Sequence, residues 1–510
     1  MQFIHRLAQR RPRNVSPSRF RSVRIYPALL AVLTCGLMMA LSLLHPAPVR
    51  AAEPLHYNQL EFPSLREVQL PDYTRFRLRN GMVVYLIEDH EFPLIGGTAI
   101  FRTGSRIEPA EKTGLASVVG EVMRSGGTTN HPADELNLLL EQMAAQVETG
   151  IDTSSGFASF NCLTEDLESV LGLFAEVVRS PAFPQERLDL SKNQRRGGIA
   201  RRNDQPENIV GREFSKLLYG ENSPYARTIE YRTLEAITRE DVVAFHQQYF
   251  RPDNMLLGIV GDFDTAAMRS LLQRTFGEWR ADPSAPQPER ALPDVTQATQ
   301  GGVFLIDQPQ LTQSYIQIGH LGGQLKDPDY TALSVLNDVL NGFGGRLTNE
   351  VRSRQGLAYV VYAYWNPRFD YPGTFVGGGQ TRSDATVAFI EAMKSELEKV
   401  RNTPISEAEL QQAKDSVLNA FVFNFQTPGQ LLSRLMRYEY YGYPKDFIFQ
   451  YQRQVQATTP EDILQAAQTH LKPDQLVTVV VGNASAIQPP LSAIAPNGQV
   501  STIDITIPDP

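Results

Sequence analysis

Apolar and polar positions alternate from Thr74 to Ile87, interrupted only at Asn80-Gly81, so this stretch predicts two strands joined as a hairpin. A further strand is expected over Ile95 to Arg102, after which Gly104-Ser105-Arg106 turns the chain towards a helix from about Thr113 to Met123. Leu136, Leu139, Leu140 and Met143 recur at helical spacing across Glu135 to Gln146, and Ile151 to Cys162 alternates as a strand. A long helix runs from Leu163 to Arg179 and stops at Ser180-Pro181, and another covers Gln185 to about Asn203. Thr238 stands where it caps a helix leading into the strand Met255 to Val260. Helices and strands are thus mixed throughout this half.

Between Trp279 and Gly302 the composition shifts to Pro, Ala, Gln and Asp, which marks residues 281–301 as a linker. The second half of the chain repeats the first. Thr459-Pro-Glu-Asp-Ile-Leu reprises Thr238-Arg-Glu-Asp-Val-Val at an offset of 221, and Leu471-Lys-Pro-Asp reprises Phe250-Arg-Pro-Asp at the same offset. Thr331-Ala-Leu-Ser-Val-Leu lies 218 after Thr113-Gly-Leu-Ala-Ser-Val. Near-equal offsets over such distances mean duplication. Residues 70–280 and 302–487 are therefore expected to be homologous α+β domains, each a mixed, mostly antiparallel sheet packed with helices. The Pro-rich tail, 488–510, is expected to be loosely held.

Composition adds little for the body of the chain, whose 42% hydrophobic content excludes general disorder. The first 51 residues stand apart: eight Arg, no acidic residue, the apolar run Pro27 to Leu44, then Val49-Arg50-Ala51. That is the layout of an export signal, with an uncleaved membrane anchor as the alternative. The expected location is the periplasm, or the inner membrane if the segment stays attached. Removing those eight arginines takes the formal charge from −8 to −16, which argues against nucleic acid or anionic lipid as a partner. Cys35 leaves with the signal, and Cys162, alternating within its strand, reads as a core residue. His56, His90, His131, His246, His320 and His470 lie beyond helical reach of one another, so no metal site is expected.

Gly344 to Tyr359 reads as the end of one helix, a short second helix and the start of a strand. Arg352 and Tyr359 stand seven apart with the helix breaker Gly356 between them, so their polar tips can reach one spot and clamp a peptide carbonyl. The residues alone also allow a plainer account. In it Arg352 pairs with Glu350 or Glu396 and Tyr359 fills the core; on either account Arg354, two residues from Arg352, points elsewhere on the helix. Ser117 and Ser154-Ser155 lack a Gly-x-Ser-x-Gly frame, and Gly377-Gly378-Gly379 reads as a place of close backbone approach. Arg195-Arg196 and Arg201-Arg202 read as a solvated basic face.

Gly-Gly-Arg-Leu at 344–347 and Gly-Leu-Ala-Tyr at 356–359 resemble the arginine–tyrosine segment of the pitrilysin/insulinase metallopeptidases. Gly104-Ser105-Arg106 and Lys112-Thr113-Gly114-Leu115-Ala116 resemble the start of that family's first domain, and the resemblance extends over about 70–487. It implies an inverted His-x-x-Glu-His motif after Ala116 and a Glu ligand some 77 residues on. Here the ligand positions hold Ser117, Glu121 and Gly198, and the position of the water-activating Glu holds Gly120. Zinc needs three protein ligands at about 2 Å plus an open position, so this chain is expected to carry no metal or other cofactor. The resemblance, closest to the non-catalytic subunits of mitochondrial processing peptidase-like bacterial proteins, implies half of a clamshell whose homologous partner bears the zinc. This chain, inactive alone, would contribute Arg352 and Tyr359 in trans to metalloendopeptidase action on a peptide or unfolded protein. The alternative is a scaffold or binding protein of the same fold.

Overall fold

The computed structural model describes residues 72–288 and 291–509, all within one compact unit, Val68–Pro510. The segment expected to direct export, and Cys35 within it, lie outside the described residues. Among those described, no helix is long and apolar enough to cross a membrane.

The first sheet is built from β1 (Thr74–Arg77), β2 (Val83–Glu88), β3 (Leu94–Phe101), β4 (Gln146–Ile151), β5 (Gly156–Leu163) and β6 (Met255–Gly261), in the order β1-β2-β6-β3-β5-β4. The second contains β7 (Gly302–Asp307), β8 (Gln313–Leu321), β9 (Ala358–Asn366), β10 (Thr374–Arg382), β11 (Val477–Gly482) and β12 (Val500–Thr502), ordered β12-β7-β11-β8-β10-β9. Five strands correspond in order and direction. β2 and β6 are parallel, as are β7 and β11, and the neighbours beyond them towards β4 and β9 are antiparallel. The chain is therefore α+β, with two similar halves.

Each half lends a helix to the other. The helix Pro428–Tyr441 lays Leu431, Leu432, Leu435 and Met436 on Val83, Tyr85, Ile87 and Leu256 of the first sheet. Reciprocally, Pro206–Tyr219 lays Ile209, Val210, Phe214 and Leu218 on Ile306, Val477, Val479 and Val481 of the second. The opposite face of each sheet packs on its own half's helices. Central strands are thus covered on both faces, so β2, expected to alternate, is instead a continuous apolar run, as is β11. Gly258 in β6 admits the foreign helix: a Cβ there would stand 2.3 Å from Met436 Sδ.

Three further expectations change. Ile151 to Cys162 is not one strand but the β4–β5 hairpin, because the Asp152 carboxylate accepts from the backbone of Ser154 (2.7 Å) and Ser155 (2.6 Å) and turns the chain. The preceding helix, Ala133–Gln142, accordingly ends early, with Ala144 in the left-handed region (φ 48°) leading into β4. The tail is not loose. β12 pairs in parallel with β7 and occupies in the second sheet the edge place that β1 holds in the first. Ile503 and Ile505 then pack on the second sheet's outer cluster and Ile507 on the first half's core, an alternation within the tail itself. Cys162 is buried as expected, and Gly377 to Gly379 lie in β10, where added Cβ atoms would meet Met393, the Ile316 carbonyl and the Val360 carbonyl.

Candidate functional site

The segment bearing Arg352 and Tyr359 is irregular on both sides. Leu347 and Val351, both fully buried, pin the turn Thr348–Arg354 to the core of the second half. This turn is wound as a π-helix, with the Gln355 N–H reaching the Glu350 carbonyl at 3.0 Å, and such insertions recur at functional sites. Gly356 (φ 62°) reverses the chain, and Ala358 starts β9 with its methyl inward. Along β9, Ala358 faces Thr381 and Val360 faces Gln380, which leaves Tyr359 as the extra residue of a β-bulge. A bulge re-aims the side chain it carries.

The consequence is an exposed pair. The Arg352 guanidinium carbon sits 4.6 Å from the centre of the Tyr359 ring, and Tyr359 is 78% exposed on the open edge of the second sheet. The plainer account of the two residues does not hold. Glu350 is taken by Arg354 (2.7 Å) and by the Gln355 amide (2.9 Å), Glu396 is taken by Lys399, and Tyr359 contributes nothing to the core. Without an ion-pair partner among the described residues, Arg352 presents unspent donors beside the phenol of Tyr359, on a cation–π contact worth about 0.5–1 kcal/mol at an exposed site.

The four positions of the degenerate zinc motif lie in the first half. Ser117, Gly120 and Glu121 are on the helix Leu115–Ser125, and Gly198 is on the helix Gln185–Ala200. The two helices are joined by a polar cluster centred on Arg195, one turn before Gly198. Arg195 Nη1 pairs with the Glu121 carboxylate and donates to Ser191 Oγ at 2.6 Å, Ser191 Oγ donates to Glu121 at 3.0 Å, and Arg195 Nε reaches Ser117 Oγ at 3.4 Å. A fixed cation therefore stands among the residues at the ligand positions. Gly120 is closed as well: a Cβ there would meet the Ile151 nitrogen at 2.6 Å and the Gly150 backbone at 2.8 Å. One carboxylate already neutralised by arginine, one hydroxyl and two glycines do not fit zinc. Among the described residues no three His, Cys, Asp or Glu side chains gather to hold a metal.

Arg195 departs from the solvated basic face expected of its run. It is largely buried between the helices, Arg202 is likewise largely buried and paired with Glu230, and Arg196 alone of the three is well exposed, paired with Glu235. Its role is legible only through spacing, since Ser191, Arg195 and Gly198 share one helical face. At the start of the helix Leu115–Ser125 the Glu108 carboxylate acts as a cap, accepting from Gly114 (2.9 Å) and Ala116 (2.7 Å), and burial holds its pKa above the ordinary carboxylate value.

Two family matches cover much of the chain: insulinase (peptidase family M16) over residues 98–231 and the peptidase M16 inactive domain over 236–417. An uncharacterized zinc protease, YmxG, of Bacillus subtilis is 24% identical over 71% of this chain and 86% of its own length. A non-peptidase homolog, YmxG, of Helicobacter pylori is 22% identical over 78% of this chain and 90% of its own. The crystal structure of a peptidase M16 inactive domain from Pseudomonas fluorescens is similar with a TM-score of 0.73 and 25% identity, covering 82% of this chain and all of the other.

Proposed function

From the premise that this chain belongs to the insulinase family of peptidases, we propose that it is a non-catalytic, substrate-positioning subunit acting on peptides with a homologous, zinc-bearing partner. The observation that carries the reading is the exposed Arg352–Tyr359 pair, held out by a π-turn and a β-bulge and left without an ion-pair partner among the described residues. Hydrolysis at zinc also needs donors aimed at the carbonyl oxygen as it gains charge, and a guanidinium beside a phenol offers two. The partner supplies the metal-activated water, a function for which Ser117, Gly120, Glu121 and Gly198 are unsuited here. The chain would form half of a clamshell, exported to the periplasm or held at the inner membrane by its N-terminal segment.

Purification from the native host tests this directly. A homologue with an intact His-x-x-Glu-His should accompany the chain in comparable amount, and peptide cleavage should require both. Cleavage by the partner alone at the full rate would leave the pair without a role. It would favour a scaffold, the reading that the name of the Helicobacter homologue also suits.

A further inference from the structure

Where the β9–β10 loop of the second half meets the first, two adjoining recesses of about 300 and 500 Å³ share Asp370, Tyr440 and Tyr441. Their combined size falls in the range of about 300–1,000 Å³ typical of small-ligand sites. Four arginines, Arg102, Arg106, Arg368 and Arg437, line them against two aspartates, Asp152 and Asp370. This is a cationic crevice in a chain of net charge −8.

The charges are not all spent. Arg106, 7% exposed, pairs with Asp370 at 2.8 Å through Nη2, but the other Asp370 oxygen and the neighbouring Thr103 hydroxyl have no partner among the described residues. Each such buried polar atom is costly to the fold unless a partner satisfies it. Arg368 and Arg437 make no hydrogen bond or ion pair there with a described side chain. Arg437 rests only over Phe369, 5.9 Å from its ring centre. Asp152 is already engaged by Ser154 and Ser155. Tyr371, Tyr440, Tyr441 and Phe157 supply the apolar walls.

We propose that this crevice is a binding site for the free C-terminus of a peptide, a carboxylate joined to an apolar body. The carboxylate goes to the uncommitted guanidinium groups, where fork geometry favours it. The adjacent peptide N–H suits the unpaired Asp370 oxygen, and the terminal side chain lies against the aromatic walls. A phosphate dianion fits less well, because it has no apolar body for the aromatic walls and brings a second negative charge up to two carboxylates. The site is separate from the Arg352–Tyr359 pair and from the degenerate zinc motif, so it goes beyond the function proposed above.

Calorimetric titration of the purified chain, without any partner, tests it with N-acetyl-Ala-Ala-Phe as the free acid, the same peptide as its C-terminal amide, N-acetyl-phenylalanine, and inorganic phosphate. The free-acid peptide should bind, and the amide should bind at least ten-fold more weakly. N-acetyl-phenylalanine should bind more weakly than the tripeptide. Phosphate should not compete. Arg368→Gln and Arg437→Gln, neither with a hydrogen bond or ion pair to break, should each weaken the free acid about ten-fold with an unchanged circular dichroism spectrum. Equal binding of acid and amide, no binding of either, or phosphate binding that displaces the peptide would overturn the proposal. Since no turnover is read, failure here and failure of the subunit role are separately visible.

Discussion

Arg195 and Glu121 form an ion pair between the helices Gln185–Ala200 and Leu115–Ser125, so a guanidinium occupies the ground that a metal ion would need. The chain as purified should therefore contain no stoichiometric zinc by elemental analysis. Grafting the motif back as Ser117→His, Gly120→Glu, Glu121→His and Gly198→Glu should not create a site. Gly198 has open space around it, but any side chain at Gly120 collides with the β4 backbone. Gly120→Ala alone should cost about 1–3 kcal/mol in urea unfolding. One zinc per grafted chain at undiminished stability would contradict this account.

Tyr359→Phe removes one hydroxyl from a ring that is mostly in solvent, so stability should not change. In the reconstituted complex the rate should fall by about 10²–10³, the usual cost of one oxyanion donor. Arg352→Lys keeps the charge but not the fork and should fall similarly. Arg354→Lys, whose partner is Glu350, should stay within about two-fold. Turnover and complex formation need separate measurement, because full turnover by the first two variants in intact complexes would make the segment merely structural.

Two buried histidines predict acid sensitivity. His246 donates to the Val178 carbonyl and His320 to the Leu321 carbonyl, and burial pushes each pKa from its ordinary 6.5 to about 4. The folded state thus prefers both rings neutral. Their contribution is whole above about pH 6.5 and is lost as pH falls towards 4, by up to about 3 kcal/mol per ring. Denaturant midpoints measured from pH 7 to 4 should drop, and His246→Gln should flatten the slope. A slope unchanged in that variant would place the sensitivity elsewhere.

The tail gives a fourth expectation. A chain ending at Gln499 loses β12 and the contacts of Ile503, Ile505 and Ile507. Each half-buried isoleucine is worth about 1 kcal/mol, so thermal unfolding should come several degrees lower. An unchanged midpoint would mean that the strand adds nothing.

Local pattern and repetition made the two-half α+β plan legible, since the Thr238 and Thr459 capping boxes and the matching Pro-Asp turns recur in register. The meeting of Arg352 with Tyr359 follows from Gly356. The features that escape a sequence reading depend on partners distant in the chain. β12 is a three-residue strand whose identity comes from β7, and nothing local to Pro428–Tyr441 says that its apolar face belongs to the other half. The bulge at Tyr359 escapes for the same reason, because it exists only relative to Thr381 and Gln380. Arg195 is hidden by its neighbours, a basic run of four in which it and Arg202 turn inward while Arg196 and Arg201 stay exposed.

The exchange of helices has a consequence for how the chain can be divided. A fragment ending in the linker would carry Ile209, Val210, Phe214 and Leu218 with no sheet to receive them, and would leave the face of Val83, Tyr85 and Ile87 bare. Neither fragment should be soluble by itself, whereas the two expressed together should find each other and assemble. A protease nick near Pro286 or Pro288 should likewise leave the parts joined under native conditions, so the linker is a tether and the interlock is what makes one molecule of two halves.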